Sequence, residues 1–192
     1  MFVADLRHFL DLPETAPGPT RRLGEQLAFV VRAATAAPAG ATWTTALRCR
    51  RRPDHRSCPG RIEVFRADLP APIEWQCISC ADRGTVSGWE DSPFDLRRTG
   101  SARGNVPGSE VQVTDEIAAT LQSLLLLDRD SERLVFSARA THGGAVFTAD
   151  AEALEELADF VAADANHEPN RRRQRRLDGA FDALHNGSVL GS

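Results

Sequence analysis

The chain has 192 residues, enough for one medium domain or two small ones, and its 42% hydrophobic and 26% charged residues exclude a disordered or fibrous protein. A formal net charge of -4 excludes a protein that coats polyanions over its whole surface, so any nucleic-acid contact must be local. The longest apolar runs, "LAFVV" and "LLLL", fall far short of the roughly 20 residues of a membrane-spanning helix, which excludes a membrane partner of that kind.

Taken in order, residues 3 to 12 place Leu6, Phe9 and Leu10 on one helical face before Pro13, which predicts a short first helix and a turn. The start of the chain lacks a basic n-region and an apolar core, so no secretory leader is expected and the protein is placed in the cytoplasm. From Pro19 to Ala36, Leu23, Leu27, Val30, Val31 and Ala34 recur at helical period until Pro38 and Gly40. Between residues 42 and 89 the β-branched and aromatic runs "TWTTALRC", "RIEVFRA", "IEWQC" and "GTVSGW" predict short antiparallel strands. "RRTGSARGNVPGS" then reads as a linker.

Beyond the linker, "EVQV" predicts a strand and Thr114 a cap for a helix with Asp115 and Glu116 in its first turn. Ile117, Leu121, Leu124 and Leu125 are its expected apolar face. "RLVFSARATHGGAVFTA" predicts two strands around a Gly-Gly turn. Asp150 is expected to start a helix with Leu154, Leu157, Ala158 and Val161 inward, and Pro169 a last helix on Leu177, Phe181 and Leu184.

All four cysteines fall in one stretch, as Cys49-x8-Cys58 and Cys77-x2-Cys80, with strand-like sequence between the pairs. Two close pairs joined by hairpins can supply four thiolates in the tetrahedron that Zn²⁺ prefers, and lasting disulfides are uncommon in the cytoplasm. Over about residues 45 to 90, above all in "WQCISCADRG", the sequence resembles the zinc-ribbon superfamily. The resemblance implies a knuckle turn at Asp82 and Gly84 in which backbone N–H groups bond to the thiolates, and a structural zinc. The x8 spacing departs from the family's usual two residues: the loop "RRRPDHRS" would have to leave and re-enter the knuckle, and His55 could replace Cys49 as the fourth ligand. The four-cysteine set is preferred because the chain then has no cysteine to explain otherwise. A Cys77/Cys80 redox pair is a weaker fit, since such motifs open a helix after a strand. The whole chain is expected to be α+β: a helical segment plus zinc-ribbon-like antiparallel module over 1–96, a linker over 97–110, and an α+β domain with a hairpin and helices over 111–192.

All 23 basic residues are arginine. Arg50, Arg51, Arg52, Arg56 and Arg61 concentrate positive charge around the cysteine loop, where planar guanidinium groups suit phosphate contacts with nucleic acid or pairing with an acidic protein. A second cluster, Arg171 to Arg176, directly follows an acidic run, which favours pairing within the protein or with a second subunit. Trp75 and Trp89 are expected in the small core rather than as a base-stacking platform, and Glu90, Asp91 and Asp95 in a turn. No nucleophile elbow, phosphate loop or two-histidine metal helix is present. Two functions follow as expectations: a non-enzymatic zinc protein whose arginine loop contacts nucleic acid, or a zinc-stabilised adapter that forms a homodimer through its C-terminal domain.

Overall fold

A computed structural model describes residues 1–68, 71–80, 82–97 and 108–190, the last four without their side chains. Helices and strands both contribute, which makes the chain α+β as expected. It divides into two compact units, Met1–Arg97 and Arg98–Ser192. Most of the expected linker, residues 98–107, lies outside the described residues.

In the first unit, helix α1 (Gly18–Ala36) carries Pro19 in its first turn, where the missing N–H costs nothing. Leu27, Val30, Val31 and Ala34 form its buried face, as their spacing predicts. Its last turn is closed by Arg66, whose guanidinium donates to the carbonyls of Ala34 (3.1 Å) and Ala37 (3.0 Å). Strands β2 (Thr42–Arg48), β3 (Arg61–Phe65), β4 (Ile73–Cys77) and β5 (Arg83–Ser87) pair antiparallel in sequence order, also as expected. Ile62, Val64, Ile73, Trp75 and Val86 share the buried face, against which α1 packs.

The first eleven residues differ from expectation. Phe2–Asp5 is a strand, here β1, that pairs parallel with β5, and only Leu6–Phe9 turns as a short 3-10 helix. Asp5 stops the strand by accepting the Arg7 backbone N–H (3.0 Å), and of the supposed helical face Leu6 alone is fully buried. The pairing needs a glycine opposite Phe2. A Cβ on Gly84 would lie 2.5 Å from the Phe2 carbonyl oxygen, so Gly84 serves this strand contact rather than the knuckle turn.

In the second unit, β6 (Ser109–Thr114) and β7 (Arg139–Thr141) flank β8 (Gly144–Ala149), all antiparallel. Val111, Val113, Ala145 and Phe147 are buried with Leu154, Leu157 and Val161 of α4 (Ala151–His167) and Leu177 and Leu184 of α5 (Arg171–Leu190). The predicted caps are present: Thr114 accepts from Ile117 N–H (3.3 Å) at α2 (Asp115–Leu121), and Asp150 from Ala153 N–H (2.9 Å) at α4.

Two expectations fail here. Helix α2 ends at Leu121 because its C-terminal amides fold back into tighter bonds, Ser123 to Thr120 and Leu124 to Leu121; Leu125, expected on its inner face, is left 90% exposed, and Leu126 beside it 85%. "RLVF" is not a strand but the second half of α3 (Arg129–Phe136). Asp128 caps that helix through Ser131 N–H (2.7 Å), with Asp130 and Glu132 in its first turn, and these start signals override the β-rich composition. The hairpin survives with a three-residue first strand. Among the described residues no helix is long and apolar enough to cross a membrane.

Candidate metal centre

The cysteines converge where the sheet of the first unit changes direction: Cys49 just past β2, Cys58 and Gly60 before β3, Cys77 ending β4 and Cys80 before β5. Their sulfurs all lie within 4.8 Å of one another. Cys49 to Cys80 and Cys58 to Cys77 are each 3.7 Å apart. A tetrahedral ion with metal–sulfur bonds of ~2.3 Å has sulfurs ~3.8 Å apart along each edge, so the cluster is sized for one. It could hold a metal ion. No disulfide joins any of the four.

Backbone amides point at the sulfurs. Arg51 N–H donates to Cys49 Sγ (3.5 Å), Gly60 N–H to Cys58 Sγ (3.4 Å) and Ser79 N–H to Cys77 Sγ (3.4 Å). Each turn is also closed in the same way: Cys49 N–H donates to the Gly60 carbonyl (2.8 Å) and Cys77 N–H to the Asp82 carbonyl (2.7 Å). In both cases the acceptor stands two residues beyond the second cysteine. The halves of the site are therefore equivalent turns, although their spacings differ in sequence. The difference is confined to an excursion, because Cys58 N–H donates to the Arg51 carbonyl (2.9 Å) and so pinches the loop shut at its base.

Electrostatics distinguish the thiols. Burial pushes the Cys49 thiol well up from its ordinary value. Burial also acts on Cys77, but amide donors from Cys80 and Ser79 outweigh it and bring that thiol below its ordinary value. Amide N–H groups aimed at a sulfur favour its thiolate, the form that binds metals.

His55, the alternative fourth ligand, does not belong to the cluster; it is exposed at the loop tip with a φ of 62°. The candidate arginines separate into three kinds. Arg61 is buried and internal: β2 is bulged between Thr44 and Arg48, and the Arg61 Nη1 donates to the Ala46 carbonyl that the bulge frees (2.6 Å). Its charge is therefore not offered to a phosphate. Arg50 leans on α1, donating to the Arg22 carbonyl (3.1 Å) with its guanidinium 5.5 Å from the Phe29 ring. Arg51, Arg52 and Arg56 are exposed, and among the described residues only Arg51 of the three has an ionic partner, Asp82 at 3.5 Å.

Elsewhere, Trp75 and Trp89 are core residues as expected. Asp95 is buried, and Arg97 both donates to its carboxylate and stacks over Trp89 (4.7 Å); burial pushes this carboxyl up, but the hydrogen bonds prevail and hold it below its ordinary value. It is not an open acid. In the C-terminal cluster, Arg173 pairs with Asp164 (3.0 Å) and Glu168 (3.2 Å), and Arg176 with Glu116 (2.5 Å).

Two residues that position the cysteines were not singled out from sequence. A Cβ on Gly60 would lie 2.4 Å from Cys77 Sγ, so only glycine fits between the two turns. Thr45 satisfies the bulge, its hydroxyl donating to the Ile62 carbonyl (2.7 Å) and accepting Leu47 N–H (3.1 Å). "CPG" carries a visible signal, a glycine two places after a candidate ligand; Thr45, one of three threonines in its strand, carries none.

The chain matches no protein-family model, no curated protein and no solved structure. Its function is therefore argued from the site's own chemistry.

Proposed function

We propose that this is a non-enzymatic, cytoplasmic zinc protein in which one structural Zn²⁺ on Cys49, Cys58, Cys77 and Cys80 fixes a zinc-ribbon-like module, and in which the exposed arginine loop contacts nucleic acid. The observation that carries the metal assignment is the pair of equivalent turns, each aiming amides at its sulfurs around a tetrahedron-sized gap. Four soft thiolates favour zinc over hard cations. They also leave no coordination position for water or substrate, which makes the metal's role structural. The arginine part rests on Arg51, Arg52 and Arg56, exposed beside the site in a chain that is acidic overall.

Metal analysis of protein purified without added metal is the test, with one zinc per chain expected; metal-free protein with two native disulfides would overturn it. A second measurement uses pH. Thiol protons must leave when the metal binds, so zinc affinity should fall by more than about tenfold for each pH unit below 7, and a flat profile would exclude thiolate ligands.

The exposed Leu125 and Leu126 favour a second reading, an adapter that self-associates through its C-terminal domain. Concentration-dependent sedimentation abolished by Leu125→Ser with Leu126→Ser would support it.

A further inference from the structure

The loop between Cys49 and Cys58 is a closed excursion from a turn that is complete without it. Arg51 holds both bonds that define that turn's base: its N–H bonds to Cys49 Sγ and its carbonyl accepts from Cys58 N–H. The segment 52–57 lies entirely outside these contacts and is exposed throughout. Joining Arg51 directly to Cys58 would leave Cys49-x2-Cys58, the spacing of the other half of the site.

Inside the segment, His55 N–H donates to the Arg52 carbonyl (3.2 Å) and Arg56 N–H to the Pro53 carbonyl (3.0 Å). These overlapping turns set Arg52 and Arg56 on neighbouring limbs of one narrow loop. Asp54 and His55 take successive positive φ values, 50° and 62°, a conformation that non-glycine residues seldom hold. No hydrogen bond or ion pair engages the Arg52 or Arg56 side chains among the described residues. Two unneutralised guanidinium groups, with Arg51 only loosely held by Asp82, thus project from a loop whose ends are fixed. Anchored ends reduce the ordering cost when charged side chains meet a ligand.

Stacking on bases needs exposed aromatic surface, and the finger offers little of it: the His55 ring is its single aromatic group. The chain has no Tyr, and of its three tryptophans Trp75 and Trp89 are buried and Trp43, on β2, is half-buried. A guanidinium fork matches phosphate oxygens without it.

Resting on the nucleic-acid reading above, we propose that residues 52–57 are an inserted phosphate finger. Arg51, Arg52 and Arg56 hold consecutive phosphodiester groups of a nucleic-acid backbone, and the finger is indifferent to the bases. Arg50 and Arg61 take no part.

The experiment titrates the zinc-loaded full chain into labelled single-stranded DNA, its duplex, single-stranded RNA and a fully abasic single strand of equal length. The abasic strand should bind within about twofold of the base-bearing one. With about three phosphates neutralised, raising salt from about 50 to about 200 mM should weaken duplex binding about 40-fold and single-strand binding about 18-fold. Deleting residues 52–57 should leave one zinc per chain and an unchanged melting temperature. For the deletion, which keeps Arg51 alone, the same salt step should cost only about 3.5-fold on duplex. Arg52→Ala with Arg56→Ala should match the deletion. A tenfold or greater loss on the abasic strand overturns the proposal, as does a zinc-loaded deletion that binds like wild type. Loss of zinc on deletion shows the loop to be part of the metal centre and overturns it too. If wild-type protein binds none of the strands, the nucleic-acid part of the proposed function fails as well, which separates that failure from the others.

Discussion

The sheet of the first unit is finished differently at its two ends. Where β2 and β4 begin and β3 and β5 end, Trp89 and Leu96 are buried, the Trp89 indole N–H donates to the Ala71 carbonyl (3.0 Å), and Arg66 ties the outgoing strand β3 to the last turn of α1. Where β2 and β4 end and β3 and β5 begin, there are four sulfurs, a glycine and backbone amides, with Cys49, Cys58 and Cys77 themselves buried. One end holds by burial alone; at the other the proposed zinc adds coordination. Burial stabilises in increments of a few kcal/mol per side chain, whereas metal binding in small zinc modules supplies an apparent ~10–16 kcal/mol at once. The sulfur end should therefore fail all at once and the tryptophan end by degrees.

The largest effect should come from Cys77→Ser or from a chelator. Hydrogen exchange should show lost protection at the amides of Arg51, Gly60 and Ser79, while α1 retains more of its own. Uniform loss over the whole unit would mean that the two ends are not separable.

Trp89→Ala should come next, costing about 3–5 kcal/mol of unfolding free energy with zinc content unchanged. If the variant loses its zinc, the ends are coupled.

Gly60→Ala acts on the sulfur end alone. The added methyl would press on Cys77 Sγ, and zinc affinity should fall at least about tenfold, equivalent to about 1.4 kcal/mol. Competition with a calibrated chelator reads this directly, and unchanged affinity would mean that the turn yields easily.

An effect of comparable size is expected from Arg61→Met. It leaves the Ala46 carbonyl without its donor and should cost about 1–3 kcal/mol in stability while leaving the salt dependence of nucleic-acid binding unchanged. A reduced salt slope would return Arg61 to the binding loop.

The same contrast explains what could be read from the chain. The cysteine set was legible because four soft ligands have few alternative uses and because "IEWQC" and "RIEVF" alternate clearly enough to bring two pairs together. The four strands from 42 to 87 and the caps at Thr114 and Asp150 were legible for a related reason: period and cap chemistry are local. What escaped depends on distant partners. Nothing near Phe2 indicates that its pairing partner is Gly84, and nothing near Arg61 indicates a bulge at Thr45 that would consume its charge. In "DRDSERLVF", by contrast, the helix-start signals are local, Asp128 with Asp130 and Glu132 after it, and the β-rich residues that follow mask them.

The parallel pairing of β1 with β5 bears on the order in which the molecule assembles. Its partners stand about eighty residues apart in the chain, whereas β2 to β5 join neighbours through short connections. Closing so long a loop costs entropy before any ladder bond repays it, so the local hairpins should form first and β1 should dock last. On the ribosome this strand emerges early but cannot pair until Arg83–Ser87 has been made. Until then Ala4, the buried residue of the finished strand, is uncovered beside an unfinished sheet edge, and in refolding experiments the amides of β1 should be the last of the first unit to gain protection.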